Sequence, residues 1–291
     1  MRDVRLLGIV LFRSRDIVLL RNFAIVTSNI RAFLILGAVF LMPCFAHGNE
    51  PQRDVKYDTK HERNVLDFWP ALKSDGLARD GPAPVFVWFH GGGFRGGDKS
   101  QLEKNRFSTL QTYQKAGYAV VSCNYPFLDE HIDHLEIANH CARAVQFIRS
   151  KARQWNIDLE RLCCGGVSAG ALISEVLAYH DDFQVLTAKD AVDRCSSRPT
   201  VVVSIMQPRG TKESVLPFMD KGEAPIFIYS NAANSDRIHP PLAAISIRDK
   251  ARELGIPCVA IGGGRNSLPP DEKGKTWLSL QLEFCEKHLS N

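Results

Sequence analysis

Two apolar runs in this chain end in glycine-rich corners, and those corners constrain the fold more than any other feature. Pro84-Val-Phe-Val-Trp-Phe89 runs directly into His90-Gly91-Gly92-Gly93-Phe94, and Leu162–Gly166 runs into Gly166-Val167-Ser168-Ala169-Gly170. Runs of this length with no polar alternation read as strands buried on both faces. After the second corner, Ala169 to Tyr179 is apolar at helical spacing, so Ser168 falls on a strand-to-helix junction.

The remaining text repeats the same grammar. Asn64–Trp69, Tyr118–Cys123, Thr200–Met206, Pro225–Tyr229 and Pro257–Ile261 are further strand candidates. Leu135, Ala138, Cys141, Val145 and Ile148 recur at helical spacing between about His134 and Trp155, and Leu242–Leu254 and Lys275–His288 are helix candidates. Continuous apolar strands separated by helices predict an α/β fold, with a mostly parallel sheet covered by helices on both faces. The stretch Gln207–Ala224 reads as the longest insertion between strands. A loop or small cap is expected there, near the carboxyl ends of the strands where ligand crevices form.

The first 46 residues read as an export signal. Arg31 precedes an apolar run from Ala32 to Met42, ended by Pro43 and the small-residue site Cys44-Phe45-Ala46. A basic flank, a short apolar core and a small residue at the cut describe a secretory signal. The run is too short for a membrane span, so no anchor is expected in the mature chain. The stretch before Arg31 is long and basic for such a signal, and the true start site stays open. Residues 47–291 are expected to form a single domain of about 245 residues, large enough for a substantial core.

Charge and cysteine usage narrow the function classes. Residues 1–46 carry Arg2, Arg5, Arg13, Arg15, Arg21 and Arg31 against Asp3 and Asp16, a net of +4 that equals the net of the whole chain. The remainder is formally neutral, which excludes nucleic acid as an electrostatic partner. Seven cysteines remain, at 123, 141, 163, 164, 195, 258 and 285. The odd number leaves at least one thiol free, and those in apolar runs pack as small hydrophobes. No Cys-x-x-Cys or histidine-rich spacing points to a metal.

The two corners also carry chemistry. A serine between glycines at a strand-to-helix turn projects its Oγ above the sheet, which makes Ser168 a candidate nucleophile; the bland reading is a helix N-cap. Three glycines after a buried strand let backbone amides turn toward a developing oxyanion. The expected donors are Gly92 and Gly93, with Ala169 after the serine. His90 reads as a residue that orients this loop rather than as a base.

Glu62-Arg63-Asn64-Val65-Leu66-Asp67, His90–Phe94 with Gly97-Asp98-Lys99, Ser122-Cys123-Asn124-Tyr125 and Gly166–Gly170 occur in one order along the chain. In this the chain resembles the α/β-hydrolase esterase/lipase family, in its feruloyl- and acetyl-esterase-like and hormone-sensitive-lipase-like branch. The resemblance spans about residues 57–289. It implies an eight-stranded sheet and carboxylic ester hydrolysis by a Ser-Asp-His triad without a cofactor. The family's Asn-Tyr-Arg reads Asn124-Tyr125-Pro126 here.

The acid implied by the resemblance follows the strand Pro225–Tyr229. Asp236 fits, with Asn234 as the alternative if the loop register slips; as an ordinary residue Asp236 would cap the next helix or pair with Arg237. The base should follow the last strand, but Gly262-Gly263-Gly264-Arg265-Asn266-Ser267 places arginine or asparagine there. Neither accepts a proton at neutral pH. Loss of the base costs such a triad roughly a millionfold in turnover. His239, three residues after Asp236, is the candidate displaced base, against its reading as a surface histidine before two prolines. His131, His134, His140, His180 and His288 have weaker cases.

Two functions stay open at this level. One is an exported serine hydrolase of carboxylic esters, with acetyl or aryl esters of plant or algal polysaccharide as candidate substrates. The other is a catalytically silent binding domain, in which Arg265 holds a substrate carboxylate through its planar fork.

Overall fold

The structure is a computed structural model that describes residues 50–290 except Ser74, Ala78 and Arg106. The signal expected over residues 1–46 lies outside the described residues.

In chain order the elements are β1 (Gln52–Lys56), β2 (Val65–Trp69), β3 (Ala83–Phe89), α1 (Gln101–Lys104), α2 (Thr109–Lys115), β4 (Ala119–Cys123), α3 (His134–Ser150), α4 (Ala152–Trp155), β5 (Ile157–Val167), α5 (Ala169–Tyr179), β6 (Val201–Ile205), α6 (Thr211–Ser214), a 3-10 turn at Leu216–Phe218, β7 (Ile226–Tyr229), α7 (Pro241–Leu254), β8 (Cys258–Ile261) and α8 (Trp277–Leu289). They form one eight-stranded sheet in the order β1-β2-β4-β3-β5-β6-β7-β8. β1 and β2 run antiparallel to their neighbours, and β4, β3 and β5 to β8 are parallel.

The apolar runs become strands because both faces are covered. Along β3, Val85, Val87 and Phe89 enter the core beneath α3, α5 and α7, where Ile137, Cys141, Ile173 and Ile247 meet them. Phe86 and Trp88 enter the opposite core with Leu110, Tyr113, Trp277 and Phe284 from α2 and α8. Each fully buried side chain of this size contributes about 1.5–3 kcal/mol by leaving water.

The helical stretch expected from His134 to Trp155 is two helices, broken at Lys151. Asp133 caps the first by accepting from the Glu136 amide at 2.8 Å. The Gln207–Ala224 insertion holds α6 and the 3-10 turn, while 180–200, between α5 and β6, has no helix or strand at all and is the longer irregular stretch. All seven cysteines among the described residues are free thiols, and Cys258 is half-buried rather than buried. No helix of the described residues is long and apolar enough to cross a membrane.

The register sets the site. Phe89 pairs with both Cys123 and Gly166, Val167 with Ile205, Ile205 with Tyr229, and Tyr229 with Ile261. The loops after β3, β5, β6, β7 and β8 therefore emerge side by side along one edge of the sheet.

Candidate active site

Ser168 joins β5 to α5 in a conformation few side chains adopt, with φ 56° and ψ −114°. Such a residue costs about 1–3 kcal/mol and persists only where its surroundings over-determine it. Here they do. The Ser168 amide donates to Ile205 O at 2.9 Å, and Ser168 O accepts from Leu172 N at 3.1 Å. A Cβ on Gly170 would lie 1.9 Å from Phe89 O, so only glycine lets the first turn of α5 press against the end of β3. The Ser168 side chain makes no N-cap hydrogen bond, which removes the helix-cap reading. Its half-buried Oγ instead meets His239 Nε2 at 2.9 Å.

The triglycine corner lies against this turn. Gly92 has φ 133°, and a Cβ there would sit 2.1 Å from Gly96 O. Among the described residues no hydrogen bond uses the amides of Gly92, Gly93 or Ala169. The corner is braced from below. His90 is buried, its ring stacked on Tyr125 at 4.2 Å, and the Tyr125 hydroxyl donates to His90 O at 2.6 Å. Burial pushes the imidazole down to about 4, so it is neutral near pH 7. Its Nδ1 donates to Gly91 O at 2.8 Å, leaving Nε2 to accept from Arg63 Nη2 at 3.4 Å. His90 thus has both ring nitrogens engaged in holding the loop.

The other matched motifs converge on the same corner. Arg63 donates from Nε to Tyr125 O at 2.8 Å and from Nη2 to Gly97 O at 3.1 Å. Asn124 accepts from Lys99 N at 2.7 Å and donates to Asp98 Oδ2 at 2.9 Å. Partial burial raises the Asp98 carboxyl, but bonds from Asn124 and Ser100 outweigh it and hold the group at about 2. Lys99 Nζ pairs with Asp67 at 2.8 Å.

Asp236 and His239 sit in the loop after β7. Asp236 Oδ1 accepts from the Ile238 and His239 amides, both at 2.8 Å. Those two amides, His239 first, hold its carboxylate below the usual range. Asp236 Oδ2 lies 3.7 Å from His239 Nδ1, within ion-pair range. Asp236 therefore caps its own turn and faces the histidine ring; it caps no helix, because α7 begins after Pro240. Asn234 is exposed.

The loop after β8 does something else. Arg265 is exposed there. Asn266 donates to Ser230 O at 2.7 Å and Ala232 O at 2.9 Å, and accepts from Leu268 N at 2.9 Å. It ties the β8 loop to the start of the β7 loop. His134 lies against the Phe94 ring at 4.9 Å, His140 Nδ1 meets Asn64 Nδ2 at 2.9 Å, and His180 Nε2 meets Ser214 O at 2.6 Å. His131 is exposed, and His288 packs near Phe284. A cavity of about 220 Å³ opens beside the first turns of α5, lined by Phe94, His134, Ala138, Leu172, Ile173 and Val176 among others. No group of three or more histidine, cysteine or acidic side chains among the described residues could hold a metal.

A serine on a strained strand-to-helix turn, a histidine against its Oγ and an eight-stranded, mostly parallel sheet define an α/β-hydrolase fold. The family model BD-FAE matches residues 77–234, more than half of the chain, and the chain belongs to this α/β-hydrolase esterase family. The matched span contains both glycine corners and ends before Asp236. Esterase LipI of Mycobacterium tuberculosis (strain ATCC 25618 / H37Rv) is 34% identical over 111 residues, covering 38% of this chain and 32% of that protein. The chain thus matches about a third of that curated relative's length. A truncated carbohydrate esterase from gut microbiota superposes with a TM-score of 0.65 at 15% identity, covering 86% of this chain and 99% of that one. Propionate-bound esterase Est2 of the Planctomycetes species Thermogutta terrifontis gives 0.63 at 16%, covering 84% and 96%. An acetyl ester-xyloside bifunctional hydrolase from Caldicellulosiruptor lactoaceticus gives 0.57 at 17%, covering 78% and 85%. At these identities the likeness is one of fold.

Proposed function

We propose that this protein hydrolyses carboxylic esters through Ser168, with His239 as general base and Asp236 as its orienting acid. The observation that carries the reading is the 2.9 Å contact between His239 Nε2 and Ser168 Oγ. It supplies a proton acceptor at hydrogen-bond distance although Arg265 and Asn266 stand where the family resemblance would put one.

The reaction then follows from the geometry. Ser168 Oγ attacks the ester carbonyl while its proton passes to His239 Nε2. The carbonyl oxygen gathers negative charge against the amides of Gly92, Gly93 and Ala169, donors worth several kcal/mol where water is excluded. The carbon–oxygen bond to the alcohol breaks, and His239 returns the proton to the leaving oxygen. A water deprotonated by His239 releases the acid and restores Ser168. No cofactor takes part. The Asp236 carboxylate stabilises the imidazolium formed in each half.

The substrate class proposed is a small or polysaccharide-linked ester, acetyl or aryl. The reading is supported by two of the similar structures, a carbohydrate esterase and an acetyl ester-xyloside bifunctional hydrolase. Export is proposed on the pattern of residues 1–46 alone. The test is turnover of p-nitrophenyl acetate by the purified protein, with loss in Ser168→Ala and labelling of Ser168 by a fluorophosphonate. Equal inertness of both proteins and no labelling would end the proposal and restore the binding-domain alternative.

A further inference from the structure

α5 carries one carboxylate in an otherwise apolar sequence, Ala-Gly-Ala-Leu-Ile-Ser-Glu-Val-Leu-Ala-Tyr. Glu175 is fully buried about two turns beyond Ser168. A carboxylate in such a place needs a cation or a full set of donors. Among the described residues no cation pairs with Glu175. Its Oε1 takes a short hydrogen bond from Ser204 Oγ, and its Oε2 takes one from Thr211 Oγ1 at 3.3 Å. Gln207 Nε2 donates to Ser204 Oγ at 2.7 Å and to Ser204 O at 3.1 Å, closing the cluster.

The partners define what the cluster holds. Ser204 lies on β6 next to Ile205, whose carbonyl takes the Ser168 amide. Gln207 and Thr211 flank the segment that leaves β6. Within that segment, Arg209 N donates to Ile238 O at 3.0 Å, one residue before His239. Ile238 itself is 64% exposed, so the outer loop has little packing of its own. A continuous series of bonds therefore runs from a buried acid behind the nucleophile, through residues 204–211, to the turn that carries the base.

We infer that Glu175 is a positioning residue, a buried acid that pins residues 207–211 beneath the Asp236–His239 turn and so sets the place of His239 against Ser168. This rests on the catalytic reading of Ser168 and His239.

The same cluster gives the arrangement a dependence on pH. Burial raises the Glu175 carboxyl to about 8, against smaller opposing bonds from Ser204, Thr211 and Gln207. The groups facing it from α5, β6 and the 207–211 segment are neutral: Ser204, Gln207, Thr211 and Tyr179, whose hydroxyl donates to Ala224 O and whose ionisation burial suppresses. Below that value the cluster holds an extra proton. Detached into solvent the carboxyl ionises near its ordinary 4.5, so the hold on 207–211 weakens as pH rises from about 4.5 to about 8 and levels off above that.

The test compares wild type with Glu175→Gln and Glu175→Ala, using p-nitrophenyl acetate kinetics at pH 7 and amide hydrogen exchange of the peptides spanning 205–240 between about pH 5.5 and pH 9, corrected for the intrinsic exchange rate. Glu175→Gln keeps the size of the acid and cannot ionise; its amide oxygen can accept from Ser204 while its amide nitrogen donates to Thr211, whose hydroxyl turns to accept. The kcat of this variant should stay within about twofold of wild type at pH 7, and its 207–211 segment should lack the loss of exchange protection expected of wild type between about pH 5.5 and pH 8. Glu175→Ala should lose about 10- to 100-fold in kcat with KM little changed, and exchange faster across 207–214 and 236–239. Should Glu175→Ala not fold, Thr211→Val, which removes one bond to the acid, should move exchange and kcat the same way to a smaller extent.

Unchanged exchange and kcat in the truncated variants would overturn the inference, as would the same pH-dependent loss of protection in Glu175→Gln as in wild type. If wild type neither turns over the ester nor labels at Ser168, the catalytic reading falls instead. The exchange comparison then still decides whether Glu175 secures the segment.

Discussion

The two halves of the candidate site are built in opposite ways. The corner formed by Gly91–Phe94 and Ser168 is locked by the buried side chains of His90, Asn124 and Tyr125 and by the half-buried Arg63. The half carrying Asp236 and His239 is an outer turn in which the two side chains are 31% and 21% exposed, held by its own backbone and by Arg209 N. Strain concentrates in the first half, where Phe94, Ser168 and Met206 all have positive φ at the carboxyl ends of β3, β5 and β6. Under the proposed mechanism the contrast teaches that a charge-stabilising part needs fixed positions, whereas a proton-carrying part needs one distance.

The sharpest way to break this comparison is to remove the two atoms that meet between the halves. Ser168→Ala and His239→Ala should each lower kcat by about 10⁴- to 10⁶-fold, measured with p-nitrophenyl acetate. An unchanged rate in His239→Ala would remove that residue from the mechanism. In the same background, Asn266→His should not restore activity, because residue 266 points its side chain at Ser230 and Ala232.

Smaller effects sharpen the picture. Gly92→Ala should lower kcat about 10²- to 10³-fold with KM less affected, since its Cβ would displace the loop that presents the amides. Asp236→Asn should cost less, about 10²-fold, because its contact to the imidazole is 3.7 Å while its main bonds go to backbone. Asn266→Ala should destabilise by about 1–3 kcal/mol in denaturant unfolding, by orphaning two carbonyls, with a modest fall in rate. Arg265→Ala should change neither.

His90 gives an effect read in the pH dependence of stability rather than in rate. Its folded-state value of about 4 lies below the ordinary imidazole value of 6.5. Between those values the unfolded chain binds the proton and the folded chain does not. The stability it contributes is therefore complete above about pH 6.5 and is lost as pH falls toward 4. Thermal unfolding followed from pH 7 down to about 4.5 should show that slope in wild type and a flatter one in His90→Asn.

Much of the fold was legible because burial on both faces writes itself as uninterrupted apolar text, as in Pro84–Phe89 and Thr200–Met206. β1 escaped notice because Gln52–Lys56 is almost wholly exposed and carries no apolar pattern. The first half of β5, Ile-Asp-Leu-Glu-Arg, was hidden by charges that face solvent at the sheet's amino end. The break at Lys151 was invisible because apolar spacing resumes after it. At the site, His239 was nominated from its spacing to Asp236, while Asn266 could be read only as a missing histidine. Its carbonyl partners belong to a neighbouring loop, and only tertiary structure brings them together. Glu175 is legible as a lone acid inside a largely apolar helix.

Asp236 and His239 lie within one four-residue turn, so in the proposed mechanism acid and base travel as a single peptide cassette. An insertion or deletion in that turn would disarm both at once, whereas transplanting it whole would carry a matched pair. The proton-handling half of such a hydrolase can thus change its point of attachment along the sheet without rebuilding the half that receives the substrate.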